Sequence, residues 1–382
     1  MHSTVSVVEN DTYEPGAVRR AIVSALVPLG GIERFVRPGM TVLLKPNLLA
    51  ALPLEQAATT HPAVVLAVAD LVREAGGRPL IGDSPAGSDA TAGRACRRSP
   101  LALRLQEAGL EAIHLQDAAW RQRGGRAYYI ASAVLDADLV INLPKLKTHV
   151  YTLYTGAVKN LFGTVPGHYK QEIHCLNARL EDFSARLVDL LELVKPGLTI
   201  MDAILGQEGT GPGAGGTPRP YGCLAAAEDP VALDTVMAGA MGYDLASLWH
   251  LAQAGARALG TADPAAIRVV GHRPYFGRVE IPRPAWYSRV PSWLLRPAAR
   301  VYPQLRDPQA CTGCGMCAEI CPAGAITAGR PVLLSRDNCI SCFCCIEACP
   351  QGLLEPHRNY LNRAVGRLIQ IFLARAGTMG QQ

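Results

Sequence analysis

Charge is scarce in this chain: Asp, Glu, Lys and Arg make up 18% of its 382 residues, against 49% hydrophobic. Such a composition can bury a sizeable core and excludes an intrinsically disordered polypeptide. No uncharged apolar run approaches the ~18 residues that a membrane-spanning helix needs. Residues 1–10 lack a basic stretch followed by an apolar one, so no secretory leader is expected. The expected location is cytoplasmic, where thiols stay reduced. No G-x-x-x-x-G-K-[ST] occurs and no G-x-G-x-x-G follows the first strands, so no nucleotide, nicotinamide or flavin fingerprint is found.

What charge there is lies unevenly. From Gly271 onward 13 Arg face 6 acidic residues, a net of +7, whereas the first 270 residues carry a net of −2. Nine of twelve cysteines fall between Cys311 and Cys349. The chain divides into a body (1–272), an Arg/Pro-rich linker (273–306), a Cys-dense unit (307–356) and a C-terminal helix and tail (357–382).

Two runs dominate the Cys-dense unit: Cys311-Thr-Gly-Cys314-Gly-Met-Cys317-Ala-Glu-Ile-Cys321-Pro and Cys339-Ile-Ser-Cys342-Phe-Cys-Cys345-Ile-Glu-Ala-Cys349-Pro. Both spell C-x2-C-x2-C-x3-C-P, the pattern of bacterial two-cluster ferredoxins, in which the fourth cysteine ligates the other cluster. The expected ligand sets are Cys311, Cys314, Cys317 and Cys349 for one 4Fe-4S cluster, and Cys339, Cys342, Cys345 and Cys321 for the second. Structural zinc does not need eight cysteines in a duplicated pattern. Cys344 falls outside the spacing and reads as a packed thiol. The surrounding arginines offset cluster charge. Nucleic acid is not expected as a partner, because no binding module accompanies the basic residues. At 359–376, Leu361, Val365, Leu368 and Phe372 share a helical face beside Arg363 and Arg367. Packing on the neighbouring domain is favoured over membrane-surface contact for this stripe.

Through the body, short apolar runs (4–8, 41–45, 79–82, 139–142, 198–201, 267–270) alternate with helical patterns (16–29, 62–75, 178–194, 230–241). This order predicts an α/β fold with a largely parallel sheet and flanking helices, followed by a small α+β ferredoxin-like domain. Ligands of such sheets sit beyond the carboxyl ends of the strands, and polar text follows four of them: Lys45-Pro-Asn47, Gly82-Asp83-Ser84-Pro, Pro144-Lys145-Leu-Lys147-Thr-His149, and Asp202 with the glycine-rich 206–216. Lys159-Asn160 forms a fifth polar element. Of 37 basic residues only six are Lys, yet four of those six are Lys45, Lys145, Lys147 and Lys159. A chain that otherwise fills its surface with Arg, but keeps compact, pKa-tunable ammonium groups at strand ends, points to an anion site. Lys45, Asn47, Asp83, Ser84, Lys159, Asn160, Gly209 and Gly211 are the candidate binding residues; Lys145, Lys147 and His149 are the candidate catalytic ones. His168 and His174 are weaker candidates. The glycine stretch reads as an anion cradle, a lid or a plain loop.

Lys45-Pro-Asn, Pro144-Lys-Leu-Lys-Thr-His149, Gly156-Ala-Val-Lys-Asn-Leu-Phe-Gly163, Glu208-Gly-Thr-Gly-Pro and Asp229-Pro-Val-Ala-Leu-Asp234 together resemble the family catalogued as domain of unknown function 362, over roughly residues 3–272. The resemblance implies an iron–sulfur protein, often fused to a ferredoxin-like module, without a settled substrate. An oxidoreductase relaying single electrons from an external carrier protein to an anionic small molecule is the leading expectation. A non-catalytic electron-transfer subunit of a larger complex, or a cluster carrier or redox sensor, is the alternative.

Overall fold

The computed structural model describes residues 3–85, 89–177, 179–282 and 301–357. The expected helix at 359–376 and the linker segment 283–300 lie outside them, as does the side chain of His168. The strands are β1 (Ser3–Glu9), β2 (Thr41–Pro46), β3 (Arg78–Asp83), β4 (Ala112–His114), the hairpin β5 (Ala118–Arg123) and β6 (Arg126–Ala131), β7 (Leu139–Leu143), β8 (Lys145–His149), β9 (Leu153–Thr155), β10 (Leu198–Gly209), β11 (Gly216–Ala227) and β12 (Ile267–Gly271). A second group follows: β13 (Tyr302–Leu305), β14 (Ile326–Thr327), β15 (Leu333–Leu334) and β16 (Leu354–His357).

The main sheet runs β12-β1-β11-β10-β7-β2-β3-β4, with β8 and β9 attached to β10. All its neighbouring pairs are parallel except those made by β11 and the β8–β9 pair. The fold is α/β with a largely parallel sheet and helices on both faces. Alternation along each strand builds it: Val42 and Leu44 face one core with Val64, Val68 and Ile22, while Leu43 faces the other with Phe183 and Leu187. The helices start where the sequence caps them. Pro15–Leu26, Pro62–Glu74 and Pro230–Ala240 each begin with Pro, and Glu14, His61 and Asp229 accept the free backbone N–H groups ahead of them.

Three expectations change. The segment 145–149 is not a strand-end loop but a strand, β8, placed after the break at Pro144 and paired on β10. The run expected at 198–201 continues to Gly209, so half of the glycine stretch is strand. A Cβ at Gly206 would collide with the carbonyl of Leu146; glycine is what lets β8 approach. The long β11 had no signal, being built from Pro, Gly and Ala.

Candidate redox and anion site

In the Cys-dense unit, two cavities open between the short strands. One is lined by Cys311, Cys314, Cys317 and Cys349 with Leu305, Val332 and Leu353. The other is lined by Cys321, Cys339, Cys342 and Cys345 with Ile326 and Phe343. Each motif therefore lends its fourth cysteine to the other cavity. Backbone N–H groups of Ala325, Ser341 and Leu353 donate to the sulfurs of Cys321, Cys339 and Cys349 at 3.2–3.4 Å. These donors suit thiolates carrying cluster charge. Among the described residues no group of His, Cys, Asp or Glu converges tightly enough for a single metal ion, and all described cysteines are free thiols. Four thiols spread around a cavity fit a cubane. Cys344 is buried but lines neither cavity.

The two loops share one geometry. Gly313 and Gly315 have φ of 71° and 77°; their counterparts by spacing, Ser341 and Phe343, have 58° and 62°. A side chain in this left-handed region costs about 1–2 kcal/mol. Ser341, whose hydroxyl is buried without a partner, is therefore strained for no packing gain. Ser341→Gly is expected to raise the stability of the cluster-loaded protein by roughly 1 kcal/mol, read as a higher denaturant midpoint.

On the body, alternation along β8 puts Lys145, Lys147 and His149 on one side, all buried. They do not share one role. Lys145 Nζ is 2.7 Å from both Asp202 Oδ2 and the Tyr13 hydroxyl, and Tyr13 OH donates to Asp202 Oδ1 at 2.9 Å. Lys45 Nζ is 2.7 Å from Asp83 Oδ1 and 2.8 Å from Pro46 O, with Gly163 packed directly over the pair. The remaining oxygen of Asp83 accepts from Leu48 N at 2.6 Å. Ser84 accepts from Gly167 N on its hydroxyl and from Lys170 on its carbonyl. Lys45 is thus paired with Asp83, Lys145 with Asp202, and Ser84 is held by Gly167 and Lys170, contacts that tie the strand ends together. The expectation that Lys45 and Lys145 face a ligand is corrected by these pairs.

Lys147 is different. Its ammonium donates to Asn47 Oδ1 (2.5 Å) and Ala58 O (2.6 Å), both neutral, which leaves one of its three N–H donors. Burial, reinforced by the charge of Lys159, pushes its pKa down to about 7. Lys159 is half-buried, and burial lowers its pKa while the Glu347 carboxylate raises it. Its short helix, Ala157–Asn160, is held by Asp234, which accepts from Ala157 N (2.7 Å), Val158 N (2.9 Å) and Tyr154 OH (3.0 Å). Asn160 donates to Lys45 O and Asn142 Oδ1, and its own Oδ1 is left without a partner.

His149 Nδ1 accepts from the N–H groups of Tyr151 (3.0 Å) and Thr152 (3.3 Å), which assigns the ring proton to Nε2. Nε2 lies 2.9 Å from Glu347 Oε1, without good hydrogen-bond alignment. Glu347 comes from the helix Cys344–Ala348 between two cluster cysteines. Burial and Lys159 push His149 down to about 4, so it is neutral at pH 7. Burial alone would raise Glu347, but His149 and Lys159 hold it down at about 2. His174, stacked on Phe183 at 4.4 Å, is pushed to about 3 by burial and keeps an unpartnered Nδ1.

In the glycine stretch, Gly209 N donates to Glu280 O at 2.6 Å, and the carbonyls of Gly209 and Gly211 accept from Thr148 Oγ1 and Val150 N. The role of the stretch is contact: a Cβ on Gly213 would lie 2.9 Å from Glu347 O, and one on Gly352 would lie 2.6 Å from Ala214 O. The Cys-dense unit docks on the lysine-bearing edge through these two glycines. Val150 and Tyr151 extend the contact by packing on its cysteine core.

A paired set of cysteine-lined cavities, docked on an α/β body, defines the class: this is an iron–sulfur protein with a ferredoxin-type domain. The 4Fe-4S binding domain profile matches residues 305–327. The profile described as domain of unknown function (DUF362) matches residues 42–239, and the chain belongs to that family. A thylakoid-associated protein of Synechocystis is 40% identical over 258 residues, covering 65% of this chain and 77% of its own length. Among solved structures, lactate racemase apoprotein from Thermoanaerobacterium thermosaccharolyticum is similar at a TM-score of 0.33 and 11% identity, over 52% of this chain and 50% of its own. A Thermotoga maritima protein is similar at 0.30 and 13%, over 56% of each. The chain spans about half the length of these two, and scores that low transfer no activity. No described helix is long and apolar enough to cross a membrane.

Proposed function

We propose that this chain is an oxidoreductase that relays single electrons through two 4Fe-4S clusters to a small anion held on the body beside Lys147 and Lys159. One observation carries the reading: Glu347 of the Cys-dense unit reaches His149 at 2.9 Å, beside Lys147 and Lys159, whose leading attractive charge is that same Glu347. An electron carrier alone has no use for buried ammonium groups facing its redox module. The clusters, when bound, supply one-electron chemistry at cavities whose donor sets and N–H···S bonds suit them.

The residues divide the work. Lys159 attracts the anion. Lys147, with a pKa near neutrality and one free N–H, is the proton donor. His149 orients: losing its Nε2 proton would leave an imidazolate, so it keeps that proton beside the Glu347 carboxylate, 2.9 Å away. An external one-electron carrier protein completes the circuit. The thylakoid association of the relative is in keeping with a peripheral membrane contact.

Photoreduced, cluster-loaded protein mixed anaerobically with a panel of small carboxylates and phosphate esters tests this. A substrate should restore the visible absorbance of the oxidised clusters, and Lys159→Met should slow that recovery at least about tenfold with iron content unchanged. Recovery unaffected by Lys159→Met would favour the electron-transfer subunit instead.

Binding should also depend on pH. Lys147 is charged below about 7 and neutral above it. Sulfate, which stays dianionic throughout, is therefore expected to bind roughly tenfold more weakly at pH 8 than at pH 6. Calorimetry on Lys147→Met should show a flat profile.

A further inference from the structure

The two cysteine sets are not equivalent toward the anion site. Glu347 sits in the helix that follows Cys342 and carries Cys345, both of the second-motif set, and that ends at Cys349 of the other set; its carboxylate lies 2.9 Å from His149 Nε2. Tyr151, two residues past His149, packs against a core that holds cysteines of both sets, and the cysteines within its electrostatic reach include Cys342 of the second-motif set. Cys342 in turn lies within reach of Glu347. In the other set, Cys314 is exposed on the surface of the unit.

We propose that anion occupancy beside Lys147 and Lys159 is reciprocally coupled to the oxidation state at the Cys321, Cys339, Cys342 and Cys345 set, through the junction of Tyr151 and Glu347, and that the Cys311, Cys314, Cys317 and Cys349 set stands outside this coupling. The inference rests on the anion-site reading. One electron added at the second-motif set places one more negative charge next to a water-poor site, where charges are weakly screened. Reduction then weakens anion binding. By linkage the anion makes that same set harder to reduce, by the same factor. The oxidised anion binds most tightly before the electron arrives from the carrier protein, and its binding is weakened by that factor, not lost, until the electron passes on to it. The exposed Cys314 set is left to meet that carrier.

Potentiometric titration followed by electron paramagnetic resonance, with mediators as the electron source, reads the coupling. Sulfate is compared with chloride at equal ionic strength. One of the two potentials is expected to fall by about 40 mV, the equivalent of a fivefold change in affinity for a one-electron couple, and the other to stay put. Cys321→Ser should remove the sensitive signal and leave the insensitive one. Should that variant not accumulate, Lys159→Met should retain both signals and abolish the shift. Equal shifts of both potentials, or none although calorimetry shows sulfate bound, would overturn the coupling. Sulfate that does not bind at all would instead overturn the anion-site reading beneath it.

Discussion

Asp83→Ala is expected to cost about 3–5 kcal/mol, because it leaves the ammonium of Lys45 buried and uncompensated. Lys45 is fully buried, and its nearest charge is the Asp83 carboxylate at 2.7 Å. Asp83 also accepts from Leu48 N and Ser84 N, so two backbone donors lose their partner as well. Urea denaturation should show the loss as a lower midpoint at nearly unchanged slope. The double change Lys45→Met with Asp83→Leu should recover most of it, since apolar replacement of a buried pair is often close to neutral. Failure of the double variant to recover would mean that the backbone bonds to Asp83 outweigh the ion pair.

The second large effect falls on the cysteines. Anaerobically prepared protein is expected to carry about eight Fe per chain, and Cys321→Ser about four. The cluster lost should be the one between Cys339, Cys342 and Cys345, although Cys321 belongs to the first motif, because Cys321 lines that cavity. Cys344→Ser should leave iron content unchanged. Iron lost from the Cys311, Cys314 and Cys317 side would contradict the crossed arrangement.

Much of this was readable from the residues. The parallel strands rich in Val, Ile and Leu, the Pro-started helices and the crossed cysteine sets all carry local signals that tertiary contacts do not overrule. The lysines show where such reading stops. Scarcity marked Lys45, Lys145, Lys147 and Lys159 as special, but it could not say which have a carboxylate opposite. Lys145 faces Asp202 through the strand register of β8 on β10, and Lys45 meets Asp83 across neighbouring strands; both partners are remote in sequence. The same scarcity applied to Lys170, whose buried ammonium donates to Ser84 O, but it follows no strand and drew no notice. Glu347 was invisible for another reason. The duplicated motifs place Glu319 at the matching position, and only docking separates the exposed Glu319 from the partly buried Glu347. β11 was missed because Pro, Gly and Ala give no strand signal; two strong neighbours, β1 and β10, impose it.

Anomalous diffraction locates the anion most directly. Crystals of anaerobically prepared protein soaked in selenate should show a selenium peak within hydrogen-bond reach of the Lys147 and Lys159 ammonium groups, on the side where Glu347 enters. Selenium found only on surface arginines, with the space between those lysines and Glu347 empty at saturating selenate, would contradict an anion site facing the iron–sulfur module.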